Sequence, residues 1–339
     1  MVLAHIVDSW TRDADRHDDP FFTLFFIGGV ASPLFLFLAG LAGALSAAAQ
    51  TRRAGSHRAG AAAIRRRGWE IFALGLVFRI QAQLLGLGPL GNLFKVDMLN
   101  TMGLSLVVGS VVWALSPSRQ TRLIMFAVLT AAVTAATPLV RASPWLALLP
   151  DPLEAYLRPA GSYSAFPLFP WAGFLVAGFL VGECVDAVRA DARRQVWLQV
   201  GITAIAGLGT WLAWRASFQP ALFPTASFWH DSPTFFFIRL GLVTLTVPMA
   251  WVVERTAPRV LLQPLVTLGL SSLFVYWIHV EMVYGVIAEP LKKQLPVWGA
   301  LVGTGVLTLF LFGLVLLKNR LLARYELKGA FRFLAPVIR

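Results

Sequence analysis

Residues 297–317 read VWGALVGTGVLTLFLFGLVLL, without a single charged side chain. An apolar run of this length, at 1.5 Å rise per residue, matches the roughly 30 Å hydrocarbon layer of a bilayer. Its hydrophobicity extends around the whole helix rather than along one stripe, so lipid is the surrounding it fits. Moving outward, the same criterion picks out 21–48, 69–90, 98–115, 123–140, 166–187, 196–216, 233–254 and 262–287. The whole chain agrees. Of its 339 residues 57% are apolar and 14% charged, with mean hydropathy +0.69, which excludes a water-soluble globular domain. The fold expected is all-α: a single polytopic transmembrane helical bundle over residues 1–339 with nine complete spans.

The connections orient the bundle. Lys and Arg number 29 against 17 Asp and Glu, a net charge of +12. In a polar chain that balance points to nucleic acid; here it marks the cytoplasmic loops, and no nucleic-acid partner is expected. Every second connection is basic: Arg52, Arg53, Arg58, Arg65, Arg66 and Arg67, then Arg119 and Arg122, then Arg189, Arg193 and Arg194, then Arg255 and Arg259, then the tail from 318 to 339. The loops between them carry Asp8, Asp13, Asp15, Asp18, Asp19, Asp97, Asp151, Glu154, Asp231 and Glu289 beside a few cations, and belong outside. The C-terminus is therefore expected in the cytoplasm, with the chain in the inner (plasma) membrane and association of several copies left open.

The N-terminus breaks the pattern. Met1–Val7 is apolar but too short to span, and residues 8–19 are assigned outside. The chain is expected to begin within a truncated first helix, residues 1–20 comprising that helix and an outer loop, with an upstream stretch completing a tenth span. A cleaved signal peptide fits less well, because no charged segment precedes the apolar residues and no small-residue cleavage site follows. The single cysteine, Cys184, excludes an intrachain disulfide framework and any cysteine-rich metal site, and no HExxH spacing occurs. No metal is expected. Glycines such as Gly40 and Gly43 are expected to let helices approach closely.

Polar side chains inside hydrocarbon cost on the order of 3 kcal/mol each, so they face a partner or a cavity. Arg79, beside Gln81 and Gln83, lies near mid-span in 69–90. It either lines a polar channel or pairs with a carboxylate such as Glu281 or Glu70. Arg239 sits close enough to the outer face to snorkel. His5 and His17 flank the outer end of the first helix, among Asp8, Ser9, Asp15, Asp18 and Asp19; a carboxylate beside imidazole suits general-base work. His17 alternatively sits solvated in an acidic loop, and His5 alternatively makes a structural hydrogen bond. Ser272, Tyr276 and His279 share one helical face, which either lines a cavity or forms an interhelical hydrogen-bond seam. The arginines from Arg52 to Arg67 anchor the topology or hold a phosphorylated group.

Several of these stretches together resemble a known family. Met1 to Thr11 (MVLAHIVDSWT) and Ser32 to Gly40 (SPLFLFLAG) resemble the opening of bacterial membrane proteins related to heparan-alpha-glucosaminide N-acetyltransferase. Asp97 to Gly103 (DMLNTMG) is similar to that family's Asp/Arg-Ile-Leu-Gln-x-Ile-Gly segment, and Phe166 to Trp171 (FPLFPW) to its Phe-Pro-Leu-x-Pro-Trp segment. The run around Tyr276 and His279 resembles a late helix of the wider type-3 acyltransferase superfamily.

The resemblance implies an acyltransferase that moves acetyl from cytoplasmic acetyl-CoA to a sugar amine or hydroxyl on the other side, a cell-envelope glycan being the expected acceptor. It implies a catalytic histidine at the outer end of the first helix: His17 by its distance before Pro33, or His5 by its place in the helix, with Asp8 orienting the ring. Arg79, Asn100, Tyr276 and His279 would line the substrate path, and Arg52, Arg53, Arg65, Arg66 and Arg67 would hold the CoA phosphates. The sequence departs from the family in its shortened first helix and in Asn100, where the enzyme of known activity has Gln. A small-solute or lipid transporter, or a non-catalytic membrane component, is the alternative reading. Intramembrane Arg79, Gln81 and Gln83 serve a transporter equally well, and Pro33, Pro170 and Pro248 could mark broken helices.

Overall fold

The computed structural model describes residues 1–86, 89–221, 223 and 227–324. Among those residues every regular element is helical, and extended pairing is confined to two isolated bridges, Thr11 with Leu295 and Val96 with Ser164. In chain order the α-helices are α1 (Val2–Trp10), α2 (Asp19–Gly29), α3 (Ala31–Ala54), α4 (His57–Gly86), α5 (Met98–Leu115), α6 (Arg119–Ala142) and α7 (Asp151–Leu157). They continue with α8 (Leu168–Val188), α9 (Ala192–Ala216), α10 (Phe228–Asp231), α11 (Pro233–Thr256), α12 (Arg259–Leu270), α13 (Ser272–Tyr284) and α14 (Val297–Arg324).

Among the described residues seven helical stretches are long and apolar enough to cross a membrane: Asp19–Ala54, Met98–Leu115, Arg119–Ala142, Leu168–Val188, Ala192–Ala216, Pro233–Thr256 and Val297–Arg324. The chain is a multi-pass membrane protein. Of the nine spans expected from sequence, seven meet this standard of length and composition among the described residues, or eight if α12 and α13, bent by 75° at their junction, count as one. The span read at 262–287 is that broken pair. The span read at 69–90 lies in α4, which is long enough at 30 residues but is interrupted by Glu70, Arg79, Gln81 and Gln83 and does not join the set. Of the tail expected in the cytoplasm, residues 325–339 lie outside the described residues.

The described residues fall into two compact units. One comprises Ser32–Ile80 and Pro89–Val252. Here α3 and α8 touch backbone to backbone: a Cβ on Gly40 would lie 1.9 Å from the Leu175 carbonyl oxygen, and one on Gly178 would lie 2.0 Å from that of Phe37. Only glycine fits such a crossing, the arrangement expected around Gly40. Phe126 of α6 and Phe179 of α8 stack at 5.0 Å. Thr130, Thr134 and Thr137 each donate to the carbonyl four residues back at 2.8 Å, which satisfies their hydroxyls inside an apolar helix. At the end of this unit where α3 and α8 stop and α6 begins, Glu183 and Asp186 are buried, 1% and 4% exposed. Arg52 reaches Asp186 at 2.8 Å, Arg119 reaches both carboxylates, and Arg122 meets Glu183 at 3.0 Å.

The other unit comprises the described residues of Met1–Ala31, Gln81–Gly88 and Val253–Arg339. Its core packs Ile6, Val7 and Trp10 of α1 against Val283, Leu307 and Leu311 of α13 and α14. At the break between α12 and α13, Lys318 donates to the Ser271 hydroxyl at 2.8 Å.

Gly178→Val is expected to destabilise the protein by about 1–3 kcal/mol or more, because the added carbons overlap backbone that cannot withdraw. Gly207→Val, at a position with nothing within 4 Å, serves as the control and should leave the unfolding temperature in detergent unchanged.

Candidate active site

Helix α13 ends at Tyr284, and its last carbonyls have no partner within the helix. Ser9 Oγ and Trp10 Nε1 each donate to the Val283 carbonyl at 3.2 Å, tying the last turn of α1 to the last turn of α13. Beyond the helix ends the backbone pairs directly: Lys293 N donates to Ser9 O (3.0 Å), Leu295 N to Trp10 O (2.9 Å) and Arg12 N to Leu295 O (2.8 Å). Asp15 reinforces the tie by accepting from Arg12 Nε at 2.8 Å and from the Val297 amide at 3.2 Å. The Arg12 guanidinium holds the Asp15 carboxyl below its ordinary value of 3.8, against an opposing contribution from burial, with the Val297 amide helping.

This register fixes the chemistry one helical turn back. Four residues before Ser9 stands His5, and four before Val283 stands His279. Their rings stack with centroids 5.0 Å apart and planes 15° from parallel, and His5 Nδ1 lies 3.0 Å from His279 Nε2. His279 Nδ1 lies 2.8 Å from the Val275 carbonyl, which can only accept, so that nitrogen carries a proton. In neutral His279, Nε2 is then the acceptor and His5 Nδ1–H the donor. The tautomer of His5 follows: its Nε2 is a bare lone pair. His279 is 1% exposed, whereas His5 is half-buried, so His5 is the accessible member of the pair. Tyr284 stands edge-on to His5 at 5.3 Å and donates its hydroxyl to Asp8 Oδ2 at 2.9 Å. Arg16 donates to the Asp8 carbonyl and, at 3.1 Å, to that of Thr11.

Of the residues singled out from sequence, His5 and His279 therefore meet, and Tyr276 packs edge-on to His279 at 5.7 Å. Ser272, read as part of the same stripe, is exposed at the start of α13. Asp8 engages Tyr284 and, through that ring, abuts His5. His17 is exposed on the turn before α2. Arg79 pairs with Asp97 (Nη2–Oδ2 3.0 Å) rather than with Glu70, because the start of α5 places Asp97 against α4. Asn100 is committed to that helix start. Asp97 and Asn100 form a reciprocal capping box, and Asn100 Nδ2 also reaches the Phe72 carbonyl at 3.5 Å. Gln81 accepts from Trp277 Nε1 at 2.7 Å. Among the arginines, Arg52 is held by Asp186, Arg66 and Arg67 face Glu70 at 3.6 and 3.4 Å, and Arg53 and Arg65 are exposed without a carboxylate partner among the described residues.

Sequence reading named Ser9 only as a neighbour and missed Trp10 and Tyr284, which with it set and flank the histidine pair, and Glu183 and Asp186, which gather the arginines. The signal for the last two was available: two carboxylates inside an apolar run next to a basic loop.

A multi-pass helical membrane protein in which one buried histidine fixes the tautomer of a second, accessible one is equipped for proton transfer or nucleophilic attack. The chain belongs to the heparan-alpha-glucosaminide N-acetyltransferase family, whose catalytic-domain model matches residues 1–210. That membership makes it a membrane acetyltransferase by class. No curated protein and no solved structure matches it. The matched region contains His5, Asp8, His17, Arg79 and Asn100; His279 and Tyr284 lie beyond it.

Breaking the Arg79–Asp97 pair from one side leaves a buried charge, at a cost of about 3–5 kcal/mol. Arg79→Gln should therefore lower the unfolding temperature more than the double variant Arg79→Gln/Asp97→Asn, in which Asn keeps the helix cap. The Asp15 tie has the opposite pH sense from a histidine tie. A depressed carboxyl stabilises fully above its unfolded value and loses that contribution as pH falls through the folded one. The destabilisation caused by Asp15→Ala should be constant from pH 5 to 8, conditions of about neutral working range, and vanish well below pH 3.8.

Proposed function

We propose that the protein transfers acetyl from cytoplasmic acetyl-CoA to an amine or hydroxyl of an extracytoplasmic sugar, with His5 as the catalytic residue. One observation supports this reading above the others: the bond from His5 Nδ1–H to His279 Nε2, which leaves His5 Nε2 able to take a proton. The acceptor's N–H or O–H proton passes to His5 Nε2 as the acetyl carbon changes its bond from the CoA sulfur to the acceptor atom, and the departing thiolate takes that proton to leave as CoA thiol. His279 acts as a positioning residue, and Tyr284, held by Asp8, packs edge-on against the His5 ring. His17, exposed to solvent, has no part in this step.

Acetyl-CoA is a substrate whose phosphates need cations, and Arg53 and Arg65 are exposed arginines of the basic end, without a carboxylate partner among the described residues, that suit them. Reaching it from the cytoplasm, with the acceptor outside, removes any need to carry CoA across the membrane. A transporter reading draws on the 75° break between α12 and α13, since discontinuous helices carry substrate sites in transporters. Labelled acetyl-CoA given to inverted vesicles distinguishes the two: label appears in an acceptor for the enzyme and stays in CoA for a transporter.

With purified full-length protein, His5→Ala is expected to lower acetyl transfer by at least ~100-fold, the usual worth of a general base. His17→Ala should stay near wild type. His279→Gln, whose side-chain oxygen still accepts from His5 Nδ1, should retain roughly tenfold more activity than His279→Leu, the equivalent of one hydrogen bond. Arg53→Gln/Arg65→Gln should raise KM for acetyl-CoA with kcat little changed. Full activity in His5→Ala would remove the proposal.

A further inference from the structure

Within the unit formed by Ser32–Ile80 and Pro89–Val252, a cavity of about 220 Å³ opens where α6 ends and α8 and α11 begin. Arg141 and Arg239 line it, His230 stands at its exposed mouth, and no Asp or Glu is among its lining residues. The neighbouring cation Arg158 is neutralised by Glu154 at 2.6 Å. Arg141 is not matched in the same way. It feels the charge of Asp231, but Arg141 Nε and Asp231 Oδ1 are each buried without a hydrogen-bond partner. Arg239 is held by aromatic faces, its guanidinium 4.7 Å from the Phe235 ring and 5.7 Å from that of Trp171. Trp229, 60% exposed, extends the aromatic wall by packing on Phe235 at 5.0 Å.

We infer that this cavity binds a phosphate-bearing group of headgroup size. Two guanidinium forks lining one space match phosphate geometry. The volume lies below the roughly 300 Å³ where ordinary small-molecule pockets begin, so it admits one phosphate with a short neighbour rather than a large ligand. The aromatic wall supplies an apolar surface for that neighbour. The cavity sits at the ends of apolar spans, among tryptophans, the depth at which lipid phosphate is the most concentrated anion. Two sources share this chemistry: an anionic phospholipid headgroup and a soluble phosphomonoester. The site uses none of the residues proposed for acetyl transfer, so it stands independently of that reading.

The test uses full-length protein in detergent. Binding of dihexanoyl phosphatidylglycerol and of glucose 6-phosphate is read by the ligand-dependent rise in unfolding temperature, with phosphate-free dihexanoylglycerol as the control. Saturable binding of the first identifies a lipid source and of the second a soluble one, and either supports the site. Arg141→Gln and Arg239→Gln should each weaken binding by about tenfold or more, as loss of a charge-assisted hydrogen bond does. Asp231→Asn should tighten it. His230→Glu, at an exposed position that leaves packing intact, should weaken it several-fold even if the arginine variants do not fold. Failure of both phosphate probes to bind, equal binding of dihexanoylglycerol, or wild-type affinity in His230→Glu would overturn the inference.

Discussion

A polar group surrounded by apolar helices has no water to fall back on, and this chain answers that constraint at its most costly groups by bringing them partners from other helices. Asp186 and Glu183 gather arginines from α3 and α6 at one end of their unit. Arg79 and Asp97 neutralise one another. In the other unit His279 is bound at both ring nitrogens. The same rule that keeps the bundle together determines which atom is left for chemistry, since the nitrogen remaining after these bonds is Nε2 of His5.

The precision of that arrangement comes from backbone and from small contacts. Ser9 and Trp10 satisfy a helix-end carbonyl that would otherwise be orphaned, and the strand-like pairing of residues 9–12 with 293–295 sets the register of α1. A slip of one residue would rotate His5 by about 100° around α1 and part the rings. Positioning the His5 ring therefore falls to backbone pairing and to Ser9 and Trp10.

Much of the fold was legible, because an apolar run of membrane length has few other uses. The helices at 98–115, 123–140, 166–187, 196–216, 233–254 and 297–317 lie where periodicity and length placed them. The exceptions have physical reasons. Residues 21–48 belong to one helical stretch of 36 residues, because Pro33 falls in the first turn of α3, where it is tolerated. The break at Ser271 carries no proline at its junction and could not be read. For the site, sequence put His5 and His279 on a short list without joining them, since 274 residues separate them. It held His17 level with His5, because spacing carries no information about which ring turns toward another helix. Asp97 went unrecognised as the counter-ion of Arg79 because it reads equally as an outer-loop acid, and Asn100 read as substrate-facing when its side chain closes a helix start.

The meeting of α1 with α13 has a consequence in time. A ribosome makes α1 well before α13, so the pair cannot close until every helix between them has been made. Until then the first helix must wait with its imidazole unmatched, and a nascent chain released early holds most of the matched family region while lacking the partner that sets its proton. The histidine pair is thus a late product of biogenesis, closed only once α13 exists to receive α1.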